Sequence, residues 1–387
     1  MASFSRRLNQ LSAQLDHHPQ SIRPASSLVQ PKAGQLSTKS DLPNLRSSAS
    51  LIIIQPLQSI TPDGYNYRTL LIQRNSTQRS FSAAHVFPGG NLDPDDHNYH
   101  PFLNRRASKD KSNEPSDLQI ALKLCAIRET FEEAGILTGL SPGVDIPSSV
   151  LIDFRQKLTE QTGTQFTNII QHIQDQVPTA KSNQDSNLFC LDRLSHYANI
   201  LTPTTSPKRW DTHFYLTILP PQSDVIARQN DMHIATPDKS ETISVVWLSP
   251  AEALKRSVLA PSEQSDSITL PPPQFYLLTD LARWKDYRQL MDHTIRKVFP
   301  LTPEIVHQKS EGTVAFFVVF PGDPLHSTSE ELYKTNNSVD KQSLIHRIQV
   351  RHEATNFGSQ PGNFFRPMRL HRSQIHKLFG KGWEDLD

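Results

Sequence analysis

Arg128-Glu129-Thr130-Phe131-Glu132-Glu133-Ala134-Gly135-Ile136 is the stretch on which the reading of this chain turns. A helix advances about 100° per residue, so Glu129, Glu132 and Glu133 share one narrow stripe while Ile120, Leu124, Ile127, Phe131 and Ala134 gather on the opposite one. The acidic stripe is therefore expected to face away from the core contact. Asp117 suits the N-cap and Gly135 the C′ position of a helix over residues 117–134. Like charges at these spacings cost stability, and on the same helix only Arg128 is near enough to offset them. Two readings stay open: a solvated helix face, or a site for a hard divalent cation such as Mg²⁺ or Mn²⁺, which prefers carboxylate oxygen.

Upstream, His85-Val-Phe-Pro-Gly-Gly90 reads as a short apolar strand ending in a Gly pair that lets backbone come close to a ligand or a helix. Strand, Gly turn and acidic helix together resemble the Nudix box, a Gly, five residues, a Glu, seven residues, then Arg-Glu-apolar-any-Glu-Glu-any-Gly-apolar. Arg128, Glu129, Glu132, Glu133, Gly135 and Ile136 match its second half, with Thr130 in the apolar slot. The first half departs from the pattern: Arg128 follows Gly90 at 38 positions instead of 14, an insertion of 24 residues that reads as loop. Counted back from Arg128, the slot of the upstream Glu holds Ile120. Asp96 and Glu114 are the candidates to replace that Glu, unless the role is vacant.

The interrupted box, preceded by Ala84-His-Val-Phe-Pro-Gly-Gly, resembles that of the nucleoside diphosphate-linked moiety X motif 19 subfamily, the peroxisomal coenzyme A diphosphatases. Lys208-Arg-Trp-Asp-Thr-His-Phe-Tyr, Trp247-Leu-Ser-Pro-Ala-Glu-Ala and Pro272-Pro-Gln-Phe-Tyr-Leu-Leu extend the resemblance over about residues 48–300. It implies a Nudix α/β/α sandwich with a mixed sheet, where pattern alone supports α/β or α+β. It also implies metal-dependent hydrolysis of a diphosphate linkage, giving adenosine 3′,5′-bisphosphate and 4′-phosphopantetheine or its acyl form from coenzyme A or an acyl ester. A nucleotide-sugar, NADH or dinucleotide pyrophosphatase is the competing enzyme, and a non-catalytic Nudix-fold binding module the competitor from another class.

In that frame Glu132 and Glu133 are the expected principal metal ligands, with Glu129 as a further ligand or as the base that activates water. Arg128 is expected to hold one of these carboxylates in place, and Gly89 and Gly90 to bring loop backbone to the site. Glu241 is the candidate base from outside the box, or else an exposed loop carboxylate. Arg74, Arg79 and Arg209 are candidates for a substrate phosphate, or structural, and His85 is a pocket group or a satisfied strand residue.

Composition sets bounds. Lys+Arg 40 against Asp+Glu 39 leaves a formal net charge of +1 in 387 residues, so no broad basic surface for nucleic acid is implied. Two cysteines make no disulfide framework, and Cys125 reads as a small filler in the box helix. The longest apolar runs, Leu51-Ile-Ile-Ile and Val314-Ala-Phe-Phe-Val-Val-Phe, are too short to span a membrane and read as strands.

Punctuation divides the chain into a disordered or targeting segment at 1–47, a Nudix domain at 48–300 and an extension at 301–387. Within the domain, insertions are expected at about 91–116 and 147–207, the latter helical to 175 and irregular beyond. In the extension one strand stands out, at 313–320. Arg7-Leu8, five residues, then Gln14-Leu15 fits a type 2 peroxisomal targeting signal, with Leu8, Leu11 and Leu15 on one helical stripe for an import receptor. Arg6, Arg7 and Arg23 with few acids would also serve a mitochondrial presequence. The peroxisomal reading is preferred because Trp383-Glu-Asp-Leu-Asp lacks the Ser-Lys-Leu type of address.

Overall fold

Leu51-Ile-Ile-Ile is apolar at every position, which suits a strand covered on both faces. In the computed structural model of the chain it forms the buried centre of β1 (Leu45–Pro56). The structure describes residues 45–77, 81–98, 116–141, 144, 146–159, 165–176, 188–220, 235–238, 241–258, 266–293, 298–310, 313–334, 344–353 and 368–373. The targeting motif between Arg7 and Leu15, Arg79 and Glu114 lie outside these residues.

The first sheet grows from β1. Its later half pairs antiparallel with β2 (Tyr67–Arg74), its earlier half antiparallel with the short β4 (Gly89–Asn91), and its whole other edge parallel with β6 (Arg209–Ile218). Beyond these lie β3 (His85–Val86) and β7 (Thr242–Leu248) on β2, β5 (Ser195–Leu201) on β6, and β8 (Pro300–Leu301) on β5. Strand alternation sends Ala49, Leu51 and Ile53 to one face, and Ile52 and Ile54 to the other. The first face is covered by α1 (Asp117–Ala134), α2 (Ser148–Thr159) and α3 (Phe166–Gln176). On the second face are α4 (Pro250–Ser257), α5 (Pro272–Leu281) and α6 (Tyr287–His293). Helices on both sides of a mixed sheet make the α/β/α sandwich that the resemblance implies.

The box helix spans the expected residues, and its N-cap is Ser116 rather than Asp117. Ser116 and Gln119 bond each other's backbone N–H reciprocally, a capping box that leaves Asp117 in the first turn, where its charge meets the positive end of the helix. Gly135 closes the helix at φ 74°, its N–H donating to the Phe131 carbonyl.

Two expectations change. The stretch read as irregular between 176 and 207 contains β5, whose inner-face Asn199 hides it from a hydropathy reading. Asn199 is buried yet satisfied, donating to Asp211 Oδ1 at 2.6 Å and to the Thr212 carbonyl at 3.2 Å. The extension holds four strands instead of one: β9 (Glu304–Ser310), β10 (Thr313–Val319), β11 (Ile345–Glu353) and β12 (Met368–Ser373), in the antiparallel order β12-β11-β10-β9, with a short α7 (Ser329–Lys334). Only β10 is apolar throughout most of its length. In β11, His346, Ile348 and Val350 turn inward between polar neighbours, so a strand alternates where the sequence shows mainly charge.

This second sheet docks on α5 and shares its core, and residues 43–387 form one compact unit across the boundary drawn at 301. Buried polar contacts fix the docking. Arg372 Nη2 donates to Asp280 Oδ1 at 2.8 Å, Tyr197 Oη donates to Asp280 Oδ2 at 2.8 Å, and Tyr276 Oη lies 2.7 Å from His346 Nε2. Burial pushes His346 down to about 3, so it is neutral at physiological pH. Among the described residues no helix is long and apolar enough to cross a membrane.

Breaking a buried ion pair from one side leaves the other charge uncompensated, so Asp280→Ala is expected to cost about 3–5 kcal/mol. Replacing both partners with apolar residues, Asp280→Leu with Arg372→Met, is expected to recover much of that loss. Denaturant unfolding checks both; a single-variant loss below about 1 kcal/mol would contradict the docking role.

Candidate active site

The site begins with two glycines whose neighbours leave no room for a side chain. A Cβ on Gly89 would stand 2.4 Å from the Ala49 carbonyl oxygen and 2.6 Å from Ser50 Cα, so any other residue would push β4 off β1. On Gly90 it would stand 2.4 Å from the Glu129 carboxyl. The Gly89 N–H donates to Glu133 Oε2 at 2.8 Å. The acidic stripe of α1 therefore faces the Gly turn and not solvent, which corrects the outward orientation expected from periodicity. Glu133 is 4% exposed. The side chains of Glu129 and Glu132 are 14% and 28% exposed. The physical reason is that α1 is buried on more than its apolar stripe, since β4, a strand of the same sheet, lies against the acidic one.

Arg128 binds the parts together. Its Nε and Nη2 reach the two oxygens of Asp96 at 2.8 and 3.0 Å, Nη2 also reaches the Asn91 carbonyl at 3.0 Å, and Nη1 lies 2.9 Å from Glu129 Oε1 and 3.4 Å from Glu132 Oε2. The forked pairing with Asp96 is the strong bidentate geometry of guanidinium and carboxylate. Asp96 sits in a 3₁₀ turn, Pro94–His97, capped by Asp93, and its Oδ2 accepts the Asp93 N–H at 2.8 Å. Neighbouring Asp95 fastens this turn to α3, accepting from Thr167 Oγ1 at 2.6 Å and Thr167 N at 3.0 Å.

Asp96, one of the two candidates to replace the upstream Glu, is thus the carboxylate paired with Arg128, while Ile120, standing in the slot counted back from Arg128, is a core residue. The signal was present in the sequence. Counted forward from Gly90, five residues lead to position 96, so the long insertion falls between Asp96 and Arg128, where 31 residues replace seven.

Charge is unbalanced here. Burial pushes Glu129 up to about 7, opposed by Arg128 and reinforced by Glu132. Glu132 is raised and Glu133 raised well above the carboxylate range, each mainly by burial, and the charge of Glu241 adds to both. Burial works against the charge of Arg128, but its bond to Asp96 and the charge of Glu129 outweigh that and hold it protonated. Oxygen-only donors with excess negative charge fit a hard divalent cation. Among the described residues, no three such side chains already converge as a ready-made cage, so binding requires the glutamate side chains to turn toward the cation.

A cavity of about 780 Å³ opens on the opposite face of the sheet and reaches the same turn, with Gly89, Gly90 and Arg74 in its wall. Its floor follows from strand alternation. Arg46, Ser48 and Ser50 of β1 point into it beside Trp210, Thr212 and Phe214, their partners on β6. Ser48 Oγ and Thr212 Oγ1 are 2.8 Å apart. The charged residues lining the cavity are Arg46, Arg74 and Lys208, with no carboxylate among its lining residues.

Arg209 is not part of that lining; it is buried, its Nε donating to the Thr202 carbonyl at 3.2 Å. Lys208 and Trp210 on either side of it do line the cavity, and sequence reading noticed them only as part of the family flank. Arg46 was missed because it precedes the expected start of the domain. Glu241 is exposed just before β7, its carbonyl accepting the Asn75 N–H at 2.7 Å. His85 is buried on β3, and Cys125 is buried in α1 with its thiol pushed well up by burial, an unreactive filler.

Residues 98–281 match the NUDT19 Nudix domain family model. The acyl-coenzyme A diphosphatase NUDT19 of Gallus gallus is 25% identical over 343 residues, covering 74% of this chain and 82% of that protein. Its namesake in Homo sapiens is 26% identical over 342 residues, covering 75% and 83%. A solved NUDIX hydrolase from Alicyclobacillus acidocaldarius superposes with a TM-score of 0.45 at 21% identity, covering 64% of this chain and 96% of that one. Over residues 98–281 the chain is thus similar to the Nudix domain of the NUDT19 type.

Proposed function

We propose that this Nudix hydrolase cleaves the diphosphate linkage of coenzyme A or its acyl esters with Mg²⁺ or Mn²⁺, releasing adenosine 3′,5′-bisphosphate and 4′-phosphopantetheine or its acyl form. One observation carries the reading: a buried carboxylate cluster lies against a Gly turn that also edges a cavity whose charged lining is entirely cationic. A diphosphate repels an attacking water, and Arg46, Arg74 and Lys208 offset that charge on the cavity side. The names of the Gallus gallus and Homo sapiens relatives support coenzyme A esters as the substrate class.

Glu132 and Glu133 would hold the cation, with Glu129 as a further ligand or as the base, and the cation would supply further charge neutralisation and alignment of the water. Gly89 and Gly90 keep side chains out of the way, so that the diphosphate can approach the backbone. As the base, Glu129 would take the proton from water as the water's oxygen attacks phosphorus and the bridging P–O bond breaks. Glu241, whose charge acts on Glu132 and Glu133, is the other candidate base. Asp96 acts through Arg128 as a positioning residue. The segment from Arg7 to Leu15 directs the chain to peroxisomes through an import receptor in this reading.

Mass-spectrometric product analysis over coenzyme A, its esters, nucleotide sugars, NADH and dinucleotides is expected to show turnover chiefly of coenzyme A compounds; inertness toward all of them sinks the reading. Glu129→Gln is expected to lower kcat about 10²–10⁴-fold, and the same loss in Glu241→Gln with Glu129→Gln active would move the base outside the box. Asp96→Asn should lower kcat with little change in KM, with partial rescue by Asp96→Glu. Full activity in Asp96→Asn would deny it the positioning role. A fluorescent fusion of residues 1–24 should reach peroxisomes and lose that address with Arg7→Ala, whereas mitochondrial labelling would overturn it.

A further inference from the structure

The cavity is roofed by chain that lies outside the matched Nudix domain. Phe316 and Val318 of β10 and Phe320 just after it turn toward it, and from β9 so does Ile305, the register partner of Val318. The same inner face of the second sheet joins the core over α5, so this roof is fixed by the docking contacts of Arg372 and His346. Without these strands the row of Ser48, Ser50, Thr212 and Phe214 would lie open. The extension thus completes the cavity.

The cavity's lining is of two kinds: Arg46, Arg74 and Lys208 are cationic, and Phe316, Val318 and Phe320 of the roof join Phe214 and Ile200 as apolar surface. Its rim is apolar as well: Ile305 and Phe81, both large side chains left more than 40% exposed, border it. Phe81 has φ 50°, a conformation that side-chain-bearing residues rarely adopt, which indicates that its position is held by the surrounding structure. A volume of about 780 Å³ lies in the range of small-molecule sites that bury most of their ligand. The matching ligand combines polyanionic groups with a long apolar arm.

We infer that the second sheet is the acyl wall of the substrate site, holding the apolar chain of an acyl-coenzyme A thioester against Phe316, Val318 and Ile305 while Arg46, Arg74 and Lys208 hold its phosphates. The inference rests on the proposed function and deepens it: Ile305, Phe316, Val318 and Phe320 set the preference among acyl esters.

Steady-state kinetics with free coenzyme A, acetyl-coenzyme A and octanoyl-coenzyme A tests it. The ratio of kcat/KM for the octanoyl to the acetyl ester is expected to fall roughly tenfold or more in Ile305→Glu and in Phe316→Ala, through KM. Ile305 is exposed, so its variants are expected to keep the wild-type melting temperature, and Ile305→Glu with Ile305→Ser carries the test if Phe316→Ala does not fold. An unchanged ratio in a folded variant overturns the inference. A fall that is equal for free coenzyme A also overturns it, assigning the wall to the nucleotide end. Absence of turnover with every coenzyme A compound in the wild type would instead sink the proposed function and the inference with it; turnover with an unchanged ratio sinks the inference alone.

Discussion

The buried guanidinium of Arg128 is the constraint on which the site depends. A charge at that depth is tolerated only if its donors are matched, and here they meet Asp96 twice, the Asn91 carbonyl and the Glu129 carboxylate. Each contact belongs to a different piece of structure: the 3₁₀ turn, β4 and α1 itself. One side chain therefore sets the distance between the acidic helix and the Gly turn. The Gly89 N–H on Glu133 and the missing side chain at Gly90 then allow the two to close.

Closure creates the imbalance that makes the site useful. Glu129, Glu132 and Glu133 lose solvent, and Arg128 is already engaged by Asp96, so their values rise. A cation would reverse that shift by favouring the ionised forms. The cavity resolves the opposite problem on the other face of β1, where alternation exposes Arg46, Ser48 and Ser50 in place of apolar residues. One strand thus supplies both the core contact of α1 and the floor of the cavity. Its period of two separates these roles without a separate element.

How much was legible in the sequence depends on whether the signal was local. The box helix, the Gly turn and Leu51-Ile-Ile-Ile could be read because each announces itself within a few residues. The inward orientation of the acidic stripe could not, since periodicity divides a helix into faces without saying that a second partner covers the polar one. β5 was lost behind Asn199, whose partners come from β6. β9, β11 and β12 were lost because outward polar residues dilute their inner face, and because Arg372 and His346, which read as surface residues, are buried through contacts with α5. Trp210 and Arg46 belong to one row only once the parallel register of β1 and β6 is known.

The interrupted box is the instructive case, because it separates spacing in sequence from spacing in space. Asp96 stands six positions after Gly90 and pairs with Arg128, although 31 residues now separate it from that arginine. Closing a connection about four times the family's length costs on the order of 1 kcal/mol more in chain entropy, since that cost grows only with the logarithm of length. Losing one partner of a buried ion pair costs about 3–5 kcal/mol. The pair therefore outweighs the insertion by several-fold, and the site tolerates a long excursion of chain as long as its two ends are fastened. Asp95 on Thr167 fastens the leaving end, and the Ser116 capping box fixes the returning one. At position 96 the 3₁₀ turn, capped by Asp93, holds the carboxylate against the guanidinium.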